Sequence, residues 1–226
     1  YSLYAGNLIN INNSKLSNSN LLSNIIKMNT GSLENSTAKA QSEFIIFDAS
    51  DLNNCRSILS NDKMEIFASN FNNSNVLSVG DMNVSGTNTL TNSRLFTNKK
   101  LFAEGLIADN NSFVGAEDTA RIEKATFNNS SVYAKNYLIL KSNNINNSYV
   151  SSNDIEIGKS DVKNSRFSAK RHLSFYDHST AENIMADYFQ SISVTTDTKI
   201  TNSNLRLGYL LLDGVVAENV SADAKY

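Results

Sequence analysis

The sequence has no proline among its 226 residues, and this absence limits the folds that the chain can adopt. Proline cannot donate the backbone hydrogen bond that a strand ladder needs, so it is excluded from strands that are paired on both sides. A chain of this length without proline therefore suits a stack of strands in which every interior strand has two neighbours.

Other features that the sequence lacks exclude some classes of function. The single cysteine, Cys55, cannot form an internal disulfide, and it occupies a position where other repeats carry serine, so we expect a small buried side chain there. The net charge of −2 lacks the basic excess of a nucleic-acid site. No segment approaches the roughly 20 apolar residues that span a bilayer. We therefore expect neither nucleic-acid binding nor a membrane span.

One short motif recurs along the whole chain, and it is clearest at residues 127–134, 145–152 and 162–169. Each copy has a large apolar residue, an asparagine two positions later, and a serine directly after it. The asparagines of the twelve copies are spaced by 17 to 22 residues. They are Asn13, Asn35, Asn54, Asn73, Asn92, Asn111, Asn129, Asn147, Asn164, Asn183, Asn202 and Asn219.

This spacing predicts the fold. A repeat of 17–22 residues is too short for a helix pair or a propeller blade, but it fits three short strands joined by tight turns. The predicted fold is all-β: a right-handed parallel β-helix (β-solenoid) of about twelve coils. We expect a single domain over residues 1–226, as a fragment of a longer protein.

The recurring asparagines are expected to stack. In a parallel stack the same residue of the next coil lies about 4.8 Å away, so amide side chains can donate to and accept from one another. We predict an internal asparagine ladder that satisfies polar groups at a turn pointing partly into the core. Its members are Asn54, Asn73, Asn92, Asn111, Asn129, Asn147, Asn164 and Asn202.

A further position of the repeat is predicted to face outward, and it carries large side chains. Lys15, Arg56, Arg94, Arg166, Phe113 and Tyr149 fall there. One interpretation is a solvated face whose charges discourage lateral pairing of sheets. The other is a binding stripe in which aromatic rings stack on a sugar or a receptor loop, with Phe113, Tyr133 and Tyr149 as the candidate contacts.

Catalysis is the weaker interpretation of the polar residues. Polysaccharide lyases and hydrolases need converging carboxylates or an acidic cluster with Ca²⁺ and a base. The candidate groups are Asp187, Asp197, Arg171, His172, Asp177 and His178. The two histidines are six residues apart, which is not a metal-ligand spacing. We expect no enzyme activity, no catalytic residue, no metal and no cofactor.

The repeat carries a family resemblance. Residues 127–134, followed by the alternating apolar pair Leu138 and Leu140, resemble the haemagglutinin repeat of filamentous haemagglutinin-like exoproteins. Serine follows the asparagine here, where glycine is usual in that family. The resemblance covers nearly the whole chain. It implies a large secreted surface filament of a Gram-negative bacterium, exported by two-partner secretion through an outer-membrane transporter.

Members of that family act as adhesins or as the stalk and receptor-binding part of contact-dependent growth-inhibition exoproteins. The resemblance therefore implies a secreted, cell-surface segment that acts in cell contact or adhesion, with a receptor or glycan of a host or target cell as partner. Two alternatives stay open. The segment is itself the receptor- or glycan-binding region, or it is a polysaccharide lyase or hydrolase.

Overall fold

The computed structural model describes residues 1–48 and 50–224, and within them the chain forms strands and turns without a helix. The strands pair in parallel and make two sheets. The larger sheet contains β1 (Ser2–Tyr4), β2 (Leu8–Asn12), β4 (Asn20–Asn29), β6 (Thr37–Phe47), β8 (Ser57–Ser60), β9 (Lys63–Phe67), β11 (Asn75–Ser78), β12 (Met82–Ser85), β14 (Arg94–Thr97), β15 (Leu101–Glu104), β17 (Phe113–Ala116), β18 (Thr119–Glu123), β20 (Ser131–Ala134), β21 (Tyr137–Lys141), β23 (Tyr149–Gly158), β25 (Arg166–Tyr176), β27 (Met185–Thr195), β29 (Asn204–Asp213) and β31 (Ser221–Ala224).

The smaller sheet contains twelve short strands, one from each coil. They are β3 (Lys15–Ser17), β5 (Ser32–Glu34), β7 (Asp51–Asn53), β10 (Asn70–Asn72), β13 (Asn88–Thr91), β16 (Leu106–Asp109), β19 (Thr126–Asn128), β22 (Asn144–Asn146), β24 (Asp161–Lys163), β26 (Thr180–Glu182), β28 (Lys199–Thr201) and β30 (Val216–Glu218). The predicted β-solenoid of about twelve coils is confirmed.

Each coil follows the same path. A short strand is followed by a turn at an asparagine, then by a strand that we call the leading half of the larger sheet, and then by the trailing half. A second turn leads to the short strand of the next coil. In the middle of the chain the two halves are separate strands, such as β11 and β12, whereas in β6, β23, β25 and β27 one strand of 10 or 11 residues runs through both.

The core consists of apolar side chains stacked coil upon coil. Leu52, Phe71 and Leu90 lie on three successive short strands, as their equal spacing predicted, and each is at most 1% exposed. In the trailing half, Met82 pairs with Leu101 on the next coil and both are buried. The alternation of buried and exposed residues along each strand therefore gives the solenoid one continuous interior and a set of outer faces.

The asparagine turns have the predicted conformation but not the predicted side-chain position. The eight asparagines of the predicted ladder have φ between 47° and 64°, the left-handed region that asparagine tolerates better than most residues. Their side chains are exposed, so the internal asparagine ladder is wrong: the amides lie on the outside of the turn. Amide-to-amide bonds join Asn73 to Asn54 (3.2 Å) and Asn92 to Asn73 (2.6 Å).

The outer ladder is also discontinuous. Asn183 donates to Asn164 over 2.7 Å and Asn219 donates to Asn202 over 3.1 Å. In the part of the chain that the structure describes, no amide-to-amide bond joins the ladder members Asn111, Asn129 and Asn147. Asparagine therefore occupies these positions mainly because it tolerates the left-handed backbone conformation. Its side-chain amide-to-amide hydrogen bonds form only in some coils.

The residue after the asparagine forms the polar stack inside the solenoid. Ser74 is buried, and its Oγ accepts the backbone N–H of Cys55 from the preceding coil over 3.1 Å. Ser74 N–H in turn donates to Ser93 Oγ over 3.0 Å, and the same bond joins Ser148 to Ser165 over 3.1 Å. This serine stack satisfies backbone groups that the apolar core would otherwise leave without partners.

Cys55 belongs to this stack, as its place in the repeat predicted. It is fully buried, and its Sγ lies 3.3 Å from the carbonyl oxygen of Leu33. Burial is the main cause that raises the pKa of the Cys55 thiol above its usual range. The thiol therefore stays protonated and stands in for a serine hydroxyl.

The second turn carries another buried polar stack in several coils, which the sequence pattern did not reveal. Ser69 N–H donates to Asn88 Oδ1 over 2.9 Å, and Ala125 N–H donates to Asn143 Oδ1 over 2.7 Å. Asn143 N–H then donates to Ser160 Oγ over 3.0 Å. Because serine, asparagine and other residues share this position, no single residue type marks it in the sequence.

The first coil has a different register from the predicted one. Leu16 pairs with Leu33, so the asparagine that corresponds to Asn35 is Asn18 and not Asn13. Asn13 lies at the second turn of its coil, where its Oδ1 accepts a hydrogen bond from Thr30 Oγ1. Both turns take left-handed asparagine, so residues 12–14 imitate the repeat. The apparent 22-residue step is therefore a 17-residue coil.

Candidate functional site

The predicted outward position forms a row along the leading half of the larger sheet. Arg94 pairs with Phe113, Phe113 with Ser131, Ser131 with Tyr149, and Tyr149 with Arg166, each on the next coil. Arg94, Phe113, Tyr149 and Arg166 were predicted to share one outward position, and this placement is confirmed. Stacked outward residues on adjacent parallel strands lie about 4.8 Å apart, so they form one surface.

Two residues that the sequence assigned to this row lie elsewhere. Lys15 is in the smaller sheet, where it pairs with Ser32 and forms an ion pair of 2.8 Å with Glu34. Arg56 precedes β8, and Ser57 takes the row position opposite Thr37. The coil at Cys55 has one extra residue after the turn, and this insertion shifts Arg56 out of the row.

A self-packed aromatic cluster occupies the middle of the row. The Phe113 ring lies 6.0 Å from the Phe96 ring and 6.5 Å from the Tyr133 ring, measured between centroids. The Arg94 guanidinium lies 4.8 Å from the Phe96 centroid and 5.1 Å from that of Phe113. Cation–π contacts of this geometry stabilise the arrangement by about 0.5–1 kcal/mol at exposed sites.

Gly115 allows this cluster to form. A Cβ atom at Gly115 would lie 2.9 Å from Cε1 of Phe113 and 3.0 Å from the carbonyl oxygen of Tyr133. A side chain there would therefore displace the Phe113 ring from the sheet surface. Since Phe96 is only 8% exposed, the cluster presents mainly Phe113, Tyr133 and the edge of Arg94 to a partner.

Of the three predicted contact residues, the structure brings two together. Phe113 and Tyr133 stack on each other, whereas Tyr149 stands apart, 42% exposed, between Ser131 and Arg166. Phe96 and the covering position of Arg94 over both rings were not predicted. Phe96 sits two residues after Arg94 on the same outward face, and this alternation is the signal that could have identified it.

A second aromatic surface lies on the outer face of the trailing half, and sequence reasoning missed it. Phe47, Phe67 and Phe102 are 37%, 40% and 38% exposed and line one cleft with Asn83 and other residues. Each of the three follows or precedes an inward apolar residue of the alternating pairs. The residue beside each inward apolar residue points outward, and this alternation was the available signal. The sequence does not show, however, that these three outward rings lie close together on stacked coils.

The candidate catalytic groups do not converge on one site. His172 accepts or donates hydrogen bonds with Ser191 (Nδ1, 2.8 Å) and Ser193 (Nε2, 3.2 Å). His178 lies on an exposed turn, with Asp177 at 3.5 Å and Asp197 at 3.6 Å. Within residues 1–48 and 50–224, no group of three or more histidine, cysteine or acidic side chains is arranged to hold a metal ion.

Asp187 is the one candidate that the fold buries. It is 2% exposed, and Arg166 of the preceding coil contacts its Oδ2 from Nη2 over 2.7 Å and from Nε over 3.0 Å. Arg206 of the following coil lies 3.7 Å from Oδ1. The two guanidinium groups neutralise the carboxylate and join three coils, which is a structural role.

Two tyrosines of the trailing half have raised pKa values. Burial and a hydrogen bond to Glu156 raise the pKa of Tyr137 well above its usual range, and burial also raises that of Tyr176. The Tyr176 ring packs against Gly158, where a Cβ atom would meet the ring at 2.6 Å. Both phenols stay protonated at neutral pH and act as packing groups with a hydroxyl donor.

The fold defines a parallel β-solenoid with two aromatic outer surfaces and no helix in the described residues. No protein family, no curated protein and no solved structure matches this chain. The described residues also contain no helix with the length and hydrophobicity to cross a membrane.

Proposed function

We propose that this chain is a segment of a bacterial surface filament that acts outside the cell in contact or adhesion rather than in catalysis. The main observation that supports this proposal is the uninterrupted stack of twelve short strands, from β3 to β30, each paired in parallel with the next. At about 4.8 Å per coil, twelve coils extend over roughly 55 Å. Such a rod holds a distal segment away from a cell and presents long lateral faces.

The interior supports a role as a continuous rod. Neighbouring coils hydrogen-bond to each other through the two sheets, and in many coils also through the buried polar stacks. In such a linear array stability accumulates from one coil to the next, so folding can proceed along the chain as it leaves a transporter. An outer-membrane transporter is therefore the proposed partner during export.

A second candidate function is that this segment itself binds a receptor or glycan. The observation in its favour is the aromatic surface of the leading half, where Phe113 and Tyr133 stack beside Arg94 and where Tyr149 is exposed. Saturable binding of the purified chain to target cells, abolished by Phe113→Ala with Tyr149→Ala, would favour this role. Undiminished binding by that double variant would exclude these residues as the contact.

The surface location is tested on the organism that produces the chain. Antibodies raised against the purified segment are applied to intact cells and to permeabilised cells. The proposal expects labelling of intact cells, and loss of that labelling after mild protease treatment of the cell exterior. Labelling that requires permeabilisation contradicts it. Release of reducing ends from acidic polysaccharides by the purified chain would contradict the non-catalytic part.

A further inference from the structure

A groove runs along the outer face of the trailing half and joins two clefts. The first, of about 320 Å³, is lined by Phe47, Phe67 and Phe102, and the second, of about 490 Å³, extends toward Lys99 and Lys100. Asn83 and Phe102 line both clefts, so the two clefts adjoin each other. Their combined size is within the range of small-ligand sites. We call this surface the phenylalanine–lysine groove.

Register explains how the groove forms. On three successive coils the same outward position carries Asn83, Phe102 and Arg121. Phe67 pairs with Ser85 of the next coil, and Phe102 lies one coil further on. The shorter side chains of Asn83 and Ser85 therefore lie on the coil between the Phe67 and Phe102 rings. Two rings with an amide and a hydroxyl between them create an apolar slot with a polar floor.

The aromatic end is an unusual feature for a solvated sheet. Isolated exposed apolar residues are normal on protein surfaces, but a contiguous group of large ones marks an interaction site. The rings of Phe47, Phe67 and Phe102 are each more than a third exposed. By contrast, the Phe113 cluster on the leading half covers its own rings with Arg94. The groove thus leaves its rings more open to a ligand than the Phe113 cluster does.

The other end of the groove is cationic. Lys63, Lys99, Lys100 and Arg121 line it together with Asp62 and Asp81. Lys63 is paired with Glu65, and Arg121 is paired with Glu123 over 2.5 Å. Within the described part of the chain, neither Lys99 nor Lys100 has a carboxylate oxygen within ion-pair distance, and both side chains are exposed. Two uncommitted ammonium groups are therefore available to an anion.

The lining of this end keeps a basic excess, with four basic and two acidic side chains. The two acidic side chains are Asp62 and Asp81, and Asp81 Oδ1 accepts the backbone N–H of Lys100 over 3.1 Å. The whole chain carries a net charge of −2, so the basic excess of this lining is a local reversal of sign. Complementary charge favours an anionic ligand at this end and speeds its association.

We propose that the phenylalanine–lysine groove binds an acidic oligosaccharide. One pyranose ring packs its C–H face against Phe67 or Phe102. The hydroxyls of that ring bind Asn83 and Ser85. A carboxylate or sulfate on a neighbouring sugar binds Lys99 and Lys100. Flat aromatic rings beside a few directed polar groups suit a ring with an apolar face and a polar rim. The inference supplies a ligand class for the contact function proposed above and rests on that function for its biological meaning.

The test uses the purified chain and defined hexasaccharides. Hyaluronan hexasaccharide carries carboxylates, chondroitin sulfate hexasaccharide carries carboxylates and sulfates, and cellohexaose is neutral. Titration calorimetry is expected to show binding of at least one acidic probe, at least tenfold tighter than cellohexaose, and weakened by added salt because exposed charges are screened. Comparison of the two acidic probes distinguishes a carboxylate from a sulfate ligand.

Variants locate the site. Phe102→Ala is expected to weaken binding of the acidic probe at least tenfold, and Lys99→Ala with Lys100→Ala is expected to remove the preference for acidic over neutral sugar. Tyr209→Ala, which removes an exposed aromatic that does not line the groove, and Lys135→Ala, which removes an exposed lysine, are matched controls that should leave binding unchanged. Circular dichroism of each variant verifies that the coils are folded.

Three results overturn the inference. They are the absence of binding by any of the probes, undiminished binding by folded Phe102→Ala, and equal affinity for a poly-glutamate peptide, which would show that charge alone is recognised. These results do not depend on the surface-labelling experiment. Labelled cells with no sugar binding would reject the groove alone, whereas sugar binding by a chain that never reaches the surface would reject the proposed function.

Discussion

Replacing Ser74 by alanine removes one hydroxyl from the buried serine stack. Ser74 Oγ accepts the N–H of Cys55 over 3.1 Å and lies 2.9 Å from the carbonyl oxygens of both Leu52 and Asn72, to which it donates. The carbonyl of Asn72 also accepts the N–H of Asn54 over 2.9 Å and remains partnered. The N–H of Cys55 has no such substitute and becomes an unsatisfied donor inside the solenoid.

The expected cost follows from that orphaned donor. A buried group left without its partner destabilises a fold by about 1–3 kcal/mol, and we expect about 2 kcal/mol for Ser74→Ala. The matched control is Ser57→Ala, which removes an exposed hydroxyl and should change the free energy of unfolding by less than about 0.5 kcal/mol. Ser74→Cys should fall between them, because cysteine already occupies this stack at Cys55.

Two assays measure the difference. Urea unfolding followed by circular dichroism gives the change in stability, and amide hydrogen exchange reports the Cys55 N–H itself. The second assay is needed because linear arrays do not always unfold in one step. A cost of about 2 kcal/mol corresponds to roughly 30-fold faster exchange where global opening limits it. Equal stability and equal exchange in Ser74→Ala and Ser57→Ala would refute the role assigned to the serine stack.

Three further variants test other parts of the structure. Asn92→Val should destabilise the chain by about 1–2 kcal/mol more than Asn92→Gly, measured by urea midpoint, because φ is 48° at this residue. Arg166→Ala should cost about 2 kcal/mol by the same measurement, since it strips the nearest cation from buried Asp187, whereas Arg206→Ala should cost less because its contact is longer. Burial raises the pKa of the Cys55 thiol above its ordinary value of 9.0, so the folded chain keeps this proton at pH values where the unfolded chain loses it. The free energy of unfolding should therefore be constant below pH 9.0 and fall above it, and the fall should be less steep in Cys55→Ser.

Much of the architecture was visible in the repeat. The apolar residues that precede each asparagine, such as Leu52, Phe71 and Leu90, were predicted to stack, and they occupy the core of the smaller sheet. The recurrence of asparagine correctly indicated left-handed turns, because few other residues adopt that conformation without strain. A backbone preference and a hydrophobic pattern are both local properties, so the sequence displays them directly.

Side-chain direction at the turns could not be read in the same way. Asparagine and serine are both polar and both recur, and only the local backbone decides that Asn73 points outward while Ser74 points inward. The same ambiguity produced the wrong register in the first coil, because Asn13 and Asn18 both have left-handed backbones in turns of different type. A coil with two similar turns gives a repeat signal that cannot distinguish them.

The candidate surfaces depend on relations between coils, and these were only partly predictable. The shared row of Phe113 and Tyr149 followed from the repeat, but the Arg94 contact with Phe96 requires side-chain geometry. The phenylalanine–lysine groove combines residues 47 to 121, from coils whose trailing halves differ in length and strand continuity. Its members carry no common motif, so their proximity appears only when the coils are stacked.

Spin-label distances test the coil stack on which every surface described above depends. Asn75, Tyr149 and Asn204 are exposed and lie in one outward row, with Tyr149 four coils and Asn204 seven coils beyond Asn75. In a Cys55→Ser background, cysteine substitution and labelling of pairs should give backbone separations of about 19 Å for residues 75 and 149 and about 34 Å for residues 75 and 204. Separations that fail to grow in proportion to the number of coils would contradict the solenoid and both of its proposed binding faces.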